Sequence, residues 1–455
     1  MPGMDLVKEP IPKLVRHIAI PASVGFFFNT MYNVVDTFWA GKDSTDALAA
    51  LAASFPIFFI ILALGTGIGQ GATALIANAL GEGRTEEGHH CSMQALSFGF
   101  LFGLLLTGLG LWWSPHLFRF LGAEERYLSL SLEYMNTILL GTAFFLMQGI
   151  LNATLNALGD TRTFRNVLII GFLLNCVLDP WFMYGGLGLP AMGIRGIALA
   201  TLLIQFGGLL FMIYKVQHTR IWNGFHWKWM RPSGPMYRQI ALQGFPASLN
   251  MVTVALGIFV ITWFVGRFSK EGVAAYGIAT RIEQIFLLPT IGLNISVLSL
   301  TGQNNGARRY DRVREVLATT IRYGLVMTVV SGAVIFIAGD WFMSLFTEDK
   351  VVTSIGDQYL RVAAITLPSY VILFQTVFML QGLKKPLYGL WVGIYRQLLA
   401  PCLVFWLLAF VLDWKLPGIW WGIFLVTWSA ALFMLWFGRW KLGQVERKHA
   451  AAAAA

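Results

Sequence analysis

Charged side chains are scarce in this chain of 455 residues: Asp, Glu, Lys and Arg together make up 12% of it, whereas 56% of the residues are hydrophobic. A soluble domain ordinarily carries about 25% charged residues. The mean hydropathy of +0.65 agrees with this imbalance. The lack of charge excludes an ordinary soluble protein and indicates a membrane protein.

Cysteine is scarce too, and the sequence motifs of enzymes are missing. The three cysteines, Cys91, Cys176 and Cys402, are odd in number and far apart, which predicts neither a disulfide framework nor a metal site. HExxH, P-loop and nucleophile-elbow motifs do not occur, and GTGIGQG at residues 65–71 does not keep the GxGxxG spacing. The sequence therefore predicts a protein that is not an enzyme and that uses no cofactor.

Long apolar runs are abundant instead. Runs of about 20 residues, the length that crosses a hydrocarbon layer about 30 Å thick, recur between short polar connections. The first run is too long for a cleavable signal peptide and contains Asp36, so we expect it to be retained. Twelve runs predict an all-α polytopic membrane protein, with spans near residues 14–40, 50–80, 93–113, 127–156, 165–184, 193–215, 239–266, 273–303, 319–338, 355–382, 389–412 and 418–438.

Basic residues outnumber acidic ones, and the formal net charge is +10. Such a charge can indicate nucleic-acid binding, so its distribution along the chain matters. About two thirds of the 33 lysines and arginines fall in the termini and in alternate loops, on one side of the predicted membrane. By the positive-inside rule that side is cytoplasmic. We therefore predict no nucleic-acid partner, both termini in the cytoplasm, and a plasma membrane of the bacterial inner-membrane type.

The sequence repeats itself after 225 residues. Pro21 meets Pro246, Gly67 meets Gly292, and the same offset holds as far as residue 193. Two related six-helix bundles follow, and we expect a pseudo-symmetry axis along the membrane normal. The predicted parts are a first lobe at 1–214, a basic and Trp-rich interfacial linker at 215–238, a second lobe at 239–440 and a cytoplasmic tail at 441–455.

Several polar residues inside the predicted spans do not obey the repeat. A residue needed for packing tends to recur in both halves, whereas one needed for function can occur once. Four polar residues of the first half align with apolar residues of the second: the pairs are Asp36 and Ile261, Asn175 and Ala400, Asp179 and Val404, and Thr201 and Val426. The fold therefore tolerates hydrocarbon at these four positions.

Asp36, Asn175, Asp179 and Thr201 are accordingly the candidate functional residues. Asn175 and Asp179 lie four residues apart, on one face of a helix, and Pro180 leaves a carbonyl of the preceding turn without its usual donor. An ionised aspartate at the centre of a membrane helix costs about 2.5–3.5 kcal/mol, so two of them suggest a site for a proton or a hard cation. In the structural alternative each aspartate only joins neighbouring helices, but two carboxylates without counterparts in the second half favour function.

Other polar residues permit two interpretations each. Asn152 and Asn156 lie four residues apart and could line a cavity or join two helices. Arg281 and Glu283 could form a structural ion pair or contact a substrate. Pro21 recurs in the second half and so predicts a structural kink, but the first-half kink shares its helix with a titratable group, which makes Pro21 a candidate hinge.

Four motifs resemble those of a known family. NTMYNVVDTFWAG in the first span, NxxxDP at residues 175–180, VAAYGIATRIEQ at residues 273–284 and GARRYDRVREV at residues 306–316 look like the MATE family of multidrug and toxic-compound extrusion transporters, and in particular its DinF-type branch. The resemblance covers about residues 18–438. It implies a MATE/MOP-like fold and an antiporter that exports cationic or amphipathic compounds in exchange for H⁺ or Na⁺ by alternating access.

The resemblance also implies roles for individual residues. Asp36, Asn175, Asp179 and Thr201 match the coupling site of DinF-type proteins, which implies binding of H⁺, the ion we favour, or of Na⁺ at Asp36, Asn175 and Asp179. Protonation there is expected to bend the first helix at Pro21. The implied substrate chamber comprises Tyr32, Asn33, Met147, Asn152 and Asn156. A second-lobe carboxylate resembling the sodium site of the NorM-type branch is not evident.

Two other functions stay open. A lipid-linked precursor flippase of the same superfamily would need a strongly cationic cavity for pyrophosphate, and the predicted spans contain few arginines. A polytopic membrane enzyme would need a reactive cluster at an interfacial loop, and none is visible. For the antiporter we expect small organic cations or amphiphiles as substrates, the lipid bilayer as surroundings, and a monomer.

Overall fold

The computed structural model describes residues 4–224 and 226–454. Residues 1–3, Phe225 and Ala455, which belong to the predicted first lobe, linker and tail, lie outside the described residues. The described helices are α1 Ile11–Asp43, α2 Thr45–Gly81, α3 Thr85–Phe120, α4 Glu125–Leu140, α5 Thr142–Ala157, α6 Arg162–Tyr184, α7 Ile194–Gln217, α8 Gly234–Gly266, α9 Lys270–Gly306, α10 Tyr310–Ser344, α11 Lys350–Gly382, α12 Leu387–Ile394, α13 Ala400–Phe405 and α14 Lys415–Ala454.

The twelve predicted membrane spans are confirmed, with two local differences. Among the described residues, eleven helical segments are long and apolar enough to cross a membrane, and α4 with α5, bent by 45° at Gly141, is the twelfth when the two are taken as one span. Glycine is a poor helix former, which explains the break at that position. The eleventh span, Leu387–Val411, contains two π-helical segments, at Tyr395–Leu399 and Trp406–Val411. The predicted tail at 441–455 continues α14 as helix through Ala454.

The sequence repeat extends to the helix caps and turns. Ser44 Oγ accepts a hydrogen bond of 3.0 Å from the amide of Ala47, and its repeat partner Ser269 accepts one of 2.8 Å from Gly272. Both serines supply the side-chain oxygen that a helix N-terminus needs. Three turns adopt positive φ in both halves, with glycine in the first half and another residue in the second: the pairs are Gly83 and Arg308, Gly159 and Lys384, and Gly188 and Asp413. The two halves therefore share backbone conformation even where their residues differ.

The chain forms two compact units whose boundaries lie inside helices. The N unit is Val24–Ser248, and the C unit is Met1–Ser23 together with Leu249–Ala455. These boundaries differ from those of the two predicted lobes, which are separated by the linker at 215–238. They fall in α1 after Ser23 and in α8 after Ser248, at positions equivalent in the repeat. Each of these two helices therefore begins in one unit and ends in the other.

We call α1 and α8 the crossing helices, because each begins in one unit and ends in the other. Close packing explains why the first part of α1 belongs to the C unit and the first part of α8 to the N unit. In the C unit, Ser23 Oγ donates a hydrogen bond of 2.9 Å to the Pro289 carbonyl, and in the N unit, Ser248 Oγ donates one of 3.2 Å to Leu64. Pro289 and Leu64 are also repeat partners. Next to each of these bonds a glycine packs directly against the backbone of the crossing helix. Gly292 contacts the backbone of Ala19 in α1, and its repeat partner Gly67 contacts the backbone of Ser248 in α8.

The N-terminal segment supplies part of the C unit's core. Leu6, Ile11, Leu14 and Ile18 are buried together with apolar side chains of α9, α10, α11 and α14. The Arg312 guanidinium in α10 donates hydrogen bonds to two carbonyls of that segment, at Leu6 and Glu9. The segment is therefore held by both apolar burial and charge-assisted hydrogen bonds.

Replacing Gly292 tests this close approach. A Cβ at this position would lie 2.2 Å from the Ala19 carbonyl oxygen, so in Gly292→Ala the backbone of α1 must move. We expect a loss of about 1–3 kcal/mol in stability, the usual cost of overpacking, measured by thermal unfolding of the purified protein.

Gly277→Ala is the matched control, because Gly277 lies on the same helix with nothing within 4 Å of its added Cβ. Alanine there should be neutral or stabilising by up to about 1 kcal/mol. Equal unfolding temperatures for the two variants would contradict the packing described for α1 and α9.

Candidate functional site

Asp36 and Asn175 meet inside the N unit. Asn175 Nδ2 donates a hydrogen bond of 2.8 Å to Asp36 Oδ1. Asp36 is 6% exposed and Asn175 is fully buried. Asp36 comes from the part of α1 that lies beyond Ser23, and Asn175 comes from α6, so the bond joins two helices of one unit. The structure thus brings together two residues that are 139 positions apart in sequence.

Asp179 lies one helical turn after Asn175 and is fully buried as well. Its carboxyl group is close enough to that of Asp36 for the two to share a hydrogen bond when one of them is protonated. Both oxygens of Asp179, and Oδ1 of Asn175, are buried and accept no hydrogen bond from any described residue. Three buried oxygens without a donor form a strong acceptor site for a proton or a cation.

Thr201 is joined to the same region through a tyrosine. Tyr32 Oη donates a hydrogen bond of 3.0 Å to Thr201 Oγ1. Tyr32 precedes Asp36 by one turn of α1, and its hydroxyl lies within the electrostatic field of both Asp36 and Asp179. Thr201 is therefore bonded to Tyr32, a residue we predicted for the substrate chamber, and not to a carboxylate.

Tyr134 in α4 belongs to this neighbourhood, although no sequence pattern marks it as a functional residue. Its buried side chain lies near Asp36 and Asp179. The residue recurs in the second half as Tyr359, and recurrence favours a packing role. Its proximity to the carboxylates appears only when α1, α4 and α6 are assembled.

The other predicted chamber residues are not joined to the carboxylates. Asn33 is exposed, and its Nδ2 donates to the Asn29 carbonyl of the previous turn rather than to a carboxylate. On α5, Met147 packs against an apolar cluster of the N unit, Asn156 is buried, and Asn152 Oδ1 is buried without a donor among the described residues. Their part in a chamber stays a prediction.

The ion pair between Arg281 and Glu283, one of the two interpretations, is wrong, whereas a substrate contact stays a prediction. Arg281 is exposed and Glu283 is buried, because two positions apart on α9 place their side chains on different faces. Glu283 accepts a hydrogen bond of 2.5 Å from Tyr359 Oη in α11 instead. Arg281 forms no ion pair among the part of the chain that the structure describes.

Comparison with known families decides what kind of protein carries this site. A sequence model of the MatE family matches residues 21–181 and again residues 246–406. The chain belongs to the MatE family. The second match begins and ends 225 residues after the first, so the family model itself finds the internal repeat. The predicted MATE membership is confirmed, while the DinF-type branch stays a prediction.

Individual relatives agree with the family. The probable multidrug resistance protein YoeA of Bacillus subtilis is 28% identical over 73% of this chain and 72% of its own length. The FAD transporter of Shewanella oneidensis is 26% identical over 87% of each chain. A solved structure of a MOP superfamily transporter from Pyrococcus furiosus is 25% identical, with a TM-score of 0.89 over 98% of this chain and 99% of that one. The protein is therefore a multi-pass membrane transporter of a multidrug efflux family, and not an enzyme.

Two substitutions rank the hydrogen bonds of the site. In Asn175→Leu the Asp36 carboxylate loses its amide donor, and we expect a loss of about 1.5–3 kcal/mol in stability, the contribution of a hydrogen bond to a charged group. In Tyr32→Phe a bond between two neutral hydroxyls is lost, and we expect about 0.6 kcal/mol. Thermal unfolding at neutral pH measures both. A larger effect for Tyr32→Phe would contradict an ionised, amide-bound Asp36.

Proposed function

We propose that this transporter is an antiporter, which exports organic cations or amphipathic compounds and takes up one ion, H⁺ or alternatively Na⁺, at Asp36 and Asp179. The observation that carries the proposal is the pairing of two buried carboxylates with a single amide donor. Among the described residues, no Lys or Arg side chain acts on either aspartate. The site therefore has the composition of a proton or cation receptor and the burial of a membrane relay.

The charge of the pair explains why its occupancy should change during transport. Two ionised carboxylates in close proximity repel each other, and burial removes the water that would stabilise them. One hydrogen bond from Asn175 cannot offset both effects. Binding of a proton or a cation relieves the repulsion, so the occupied site is favoured when the side of higher ion concentration has access and emptied when the other side has access.

A proton fits the site better than Na⁺. A proton needs only the shared hydrogen bond that the Asp36 and Asp179 carboxyl groups are placed to form. A sodium ion needs several oxygen ligands held around it at once, of which Asp36, Asp179 and Asn175 offer some. We therefore favour H⁺ as the coupling ion.

Pro21 supplies a route from ion uptake to conformational change. It stands in α1 two residues before the helix passes from the C unit into the N unit, and Asp36 lies farther along the same helix. Proline removes one backbone hydrogen bond, which weakens resistance to bending. Ion uptake at Asp36 thus acts on a helix that bends at Pro21, and alternating access follows from that bend.

The driving force is sufficient for efflux. A membrane potential of about 100 mV supplies roughly 2.3 kcal/mol for each charge that moves. That free energy corresponds to more than about tenfold accumulation of substrate for each coupled ion. Because the loops on the two sides of the membrane differ in Lys and Arg content, we place both termini in the cytoplasm. We further propose that the protein is a monomer in a bacterial-type plasma membrane.

Asp36→Asn tests the coupling role. The substitution keeps the shape of the side chain but removes the acid, so cells that express it should lose the drug resistance which the native protein provides and fall to the level of cells without it. Growth at graded drug concentrations measures this, with membrane expression checked for each variant. Asp43→Asn is the matched control, because Asp43 lies on the same helix and is exposed. Full resistance with Asp36→Asn would refute the proposal.

Transport in proteoliposomes identifies the ion. With purified protein and a fluorescent organic cation as probe, an imposed pH gradient without Na⁺ should drive uptake of the probe against its gradient, and an imposed Na⁺ gradient at equal pH should not. The opposite result would assign the site to Na⁺. If neither gradient drives transport while the vesicles hold their gradients, the antiport proposal fails.

A further inference from the structure

The C unit contains a buried charged cluster of its own, which the coupling site does not use. We call it the Glu283 cluster, and its members are Tyr276, Glu283, Tyr359, Tyr370 and Arg396. All five come from Leu249–Ala455, and therefore from one unit. Glu283 is 6% exposed and Arg396 is 9% exposed. Two ionisable groups at this depth require an explanation, since each costs free energy when it is removed from water.

Phenolic hydroxyls surround the carboxylate. Tyr359 Oη donates to Glu283 Oε2 at 2.5 Å, and the Tyr370 hydroxyl lies beside the same carboxyl group. A bond this short between a hydroxyl and a carboxyl group is typical of a charge-assisted hydrogen bond. The hydrogen bond from Tyr359 stabilises the ionised form of Glu283 rather than its protonated form.

Arg396 supplies the opposite charge. Its guanidinium lies over the rings of Tyr370 and Phe374, at 5.5 Å and 5.7 Å from their centroids. A guanidinium stays charged in proteins, so it needs a counter-charge when it is buried. It forms no direct ion pair among the described residues, and the carboxylate whose field acts on it is Glu283. The two charges therefore compensate each other across the ring of Tyr370.

An irregular stretch of helix holds Arg396 in this position. Arg396 lies in the π-helical segment Tyr395–Leu399, and it is one of the buried residues of that segment. Pro401 follows and has no N–H to bond the carbonyl of Gln397, which favours the wider helix. The equivalent helix of the N unit, α6, is α-helical from Arg162 to Tyr184. π-helical turns are rare in proteins, and those that occur are often found at functional sites.

The repeat shows that the fold does not need these charges. Glu283 aligns with Phe58 and Tyr370 aligns with Phe145, and these two phenylalanines pack edge to face in the N unit at 5.5 Å between centroids. Arg396 aligns with Gly171. In the N unit, an apolar contact between two phenylalanines therefore fills the positions equivalent to Glu283 and Tyr370. The Glu283 cluster is specific to the C unit.

We propose that Arg396 is a resident cation that permanently neutralises Glu283, and that it thereby confines ion coupling to the N unit. In the part of the N unit that the structure describes, the two carboxylates face no basic residue and must take an ion from solution. In the C unit a covalently attached guanidinium already supplies the positive charge. Arg396 is on this view a specificity-determining residue, because it sets the number of ions exchanged in each cycle. Its meaning for transport rests on the proposed function, but the ionisation state of Glu283 does not.

Infrared difference spectroscopy of the full chain in lipid nanodiscs tests the ionisation state without transport. The C=O band of a protonated carboxyl group is separate from the bands of an ionised carboxylate. Spectra are recorded while the pH is stepped through the neutral range, without Na⁺ and with added Na⁺. In the presence of Arg396, E283Q should leave the pH-dependent bands of the native protein unchanged. R396Q should add one protonated-carboxyl band, and E283Q/R396Q should lose it again. R396K keeps the cation and should give the native spectrum.

Two results would overturn the proposal. One is a loss of a pH-dependent band in E283Q, which would show that Glu283 titrates although Arg396 is present. The other is an R396Q protein that retains the native helix content and unfolding temperature but gains no band. If R396Q does not fold, the E283Q spectrum decides the question by itself.

Transport then tests the consequence. From the ion gradient at which net flux of the organic cation stops, R396Q should exchange one more ion for each substrate than the native protein, and E283Q/R396Q should return to the native number. An unchanged number in a folded R396Q would refute confinement of coupling by Arg396. Failure of Asp36→Asn to abolish efflux would refute the proposed function instead, and it would leave the Glu283 spectra unaffected.

Discussion

Desolvation of Asp36 and Asp179 is the constraint on which the N unit depends. The unit buries both carboxylates, and Asn175 gives one of them a single donor. The described residues supply no donor to either oxygen of Asp179, and the helices around the pair are apolar and close-packed. The ion uptake that we propose at this pair would relieve that cost, so in the proposal the stability of the unit and its coupling role have one electrostatic cause.

The two units show which features of the scaffold are structural and which are free to vary. Helix caps at Ser44 and Ser269, the serine bonds of the crossing helices and the glycine contacts recur at equivalent positions. Buried charge does not recur at equivalent positions: it lies in α1 and α6 in the N unit, and in α9, α10 and the π-helical segment Tyr395–Leu399 in the C unit. Backbone geometry is thus common to both units, while their interior electrostatics are independent.

Sequence reasoning reached the spans and the central residues because each depends on local or periodic signals. Apolar run length predicts a membrane helix, and four-residue spacing places Asn175 and Asp179 on one face. The repeat then separated these residues from packing residues. What escaped prediction depends on tertiary geometry: the proximity of Tyr134 to the aspartates, and the partner of Glu283, which is Tyr359 rather than Arg281.

The boundaries of the units also escaped prediction, for a physical reason. Composition changes at the basic linker, so the linker looks like the natural boundary. The structure divides the chain inside α1 and α8 instead, where contacts are decided by two glycines that admit a neighbouring backbone. A glycine in a Gly-rich membrane sequence gives no sign of which helix it will contact.

The crossing helices have a consequence for biosynthesis. Residues up to Ser23 are made first but belong to the unit that is completed last, since their apolar partners lie in α9, α10, α11 and α14. During synthesis the start of α1 must therefore remain without its final neighbours until most of the chain has entered the membrane. The N unit, in turn, lacks its last segment until α8 emerges. A chain severed in the linker yields two fragments, and neither contains all of one unit. Each unit is complete only when the first part of α1 joins the second fragment and the first part of α8 joins the first fragment.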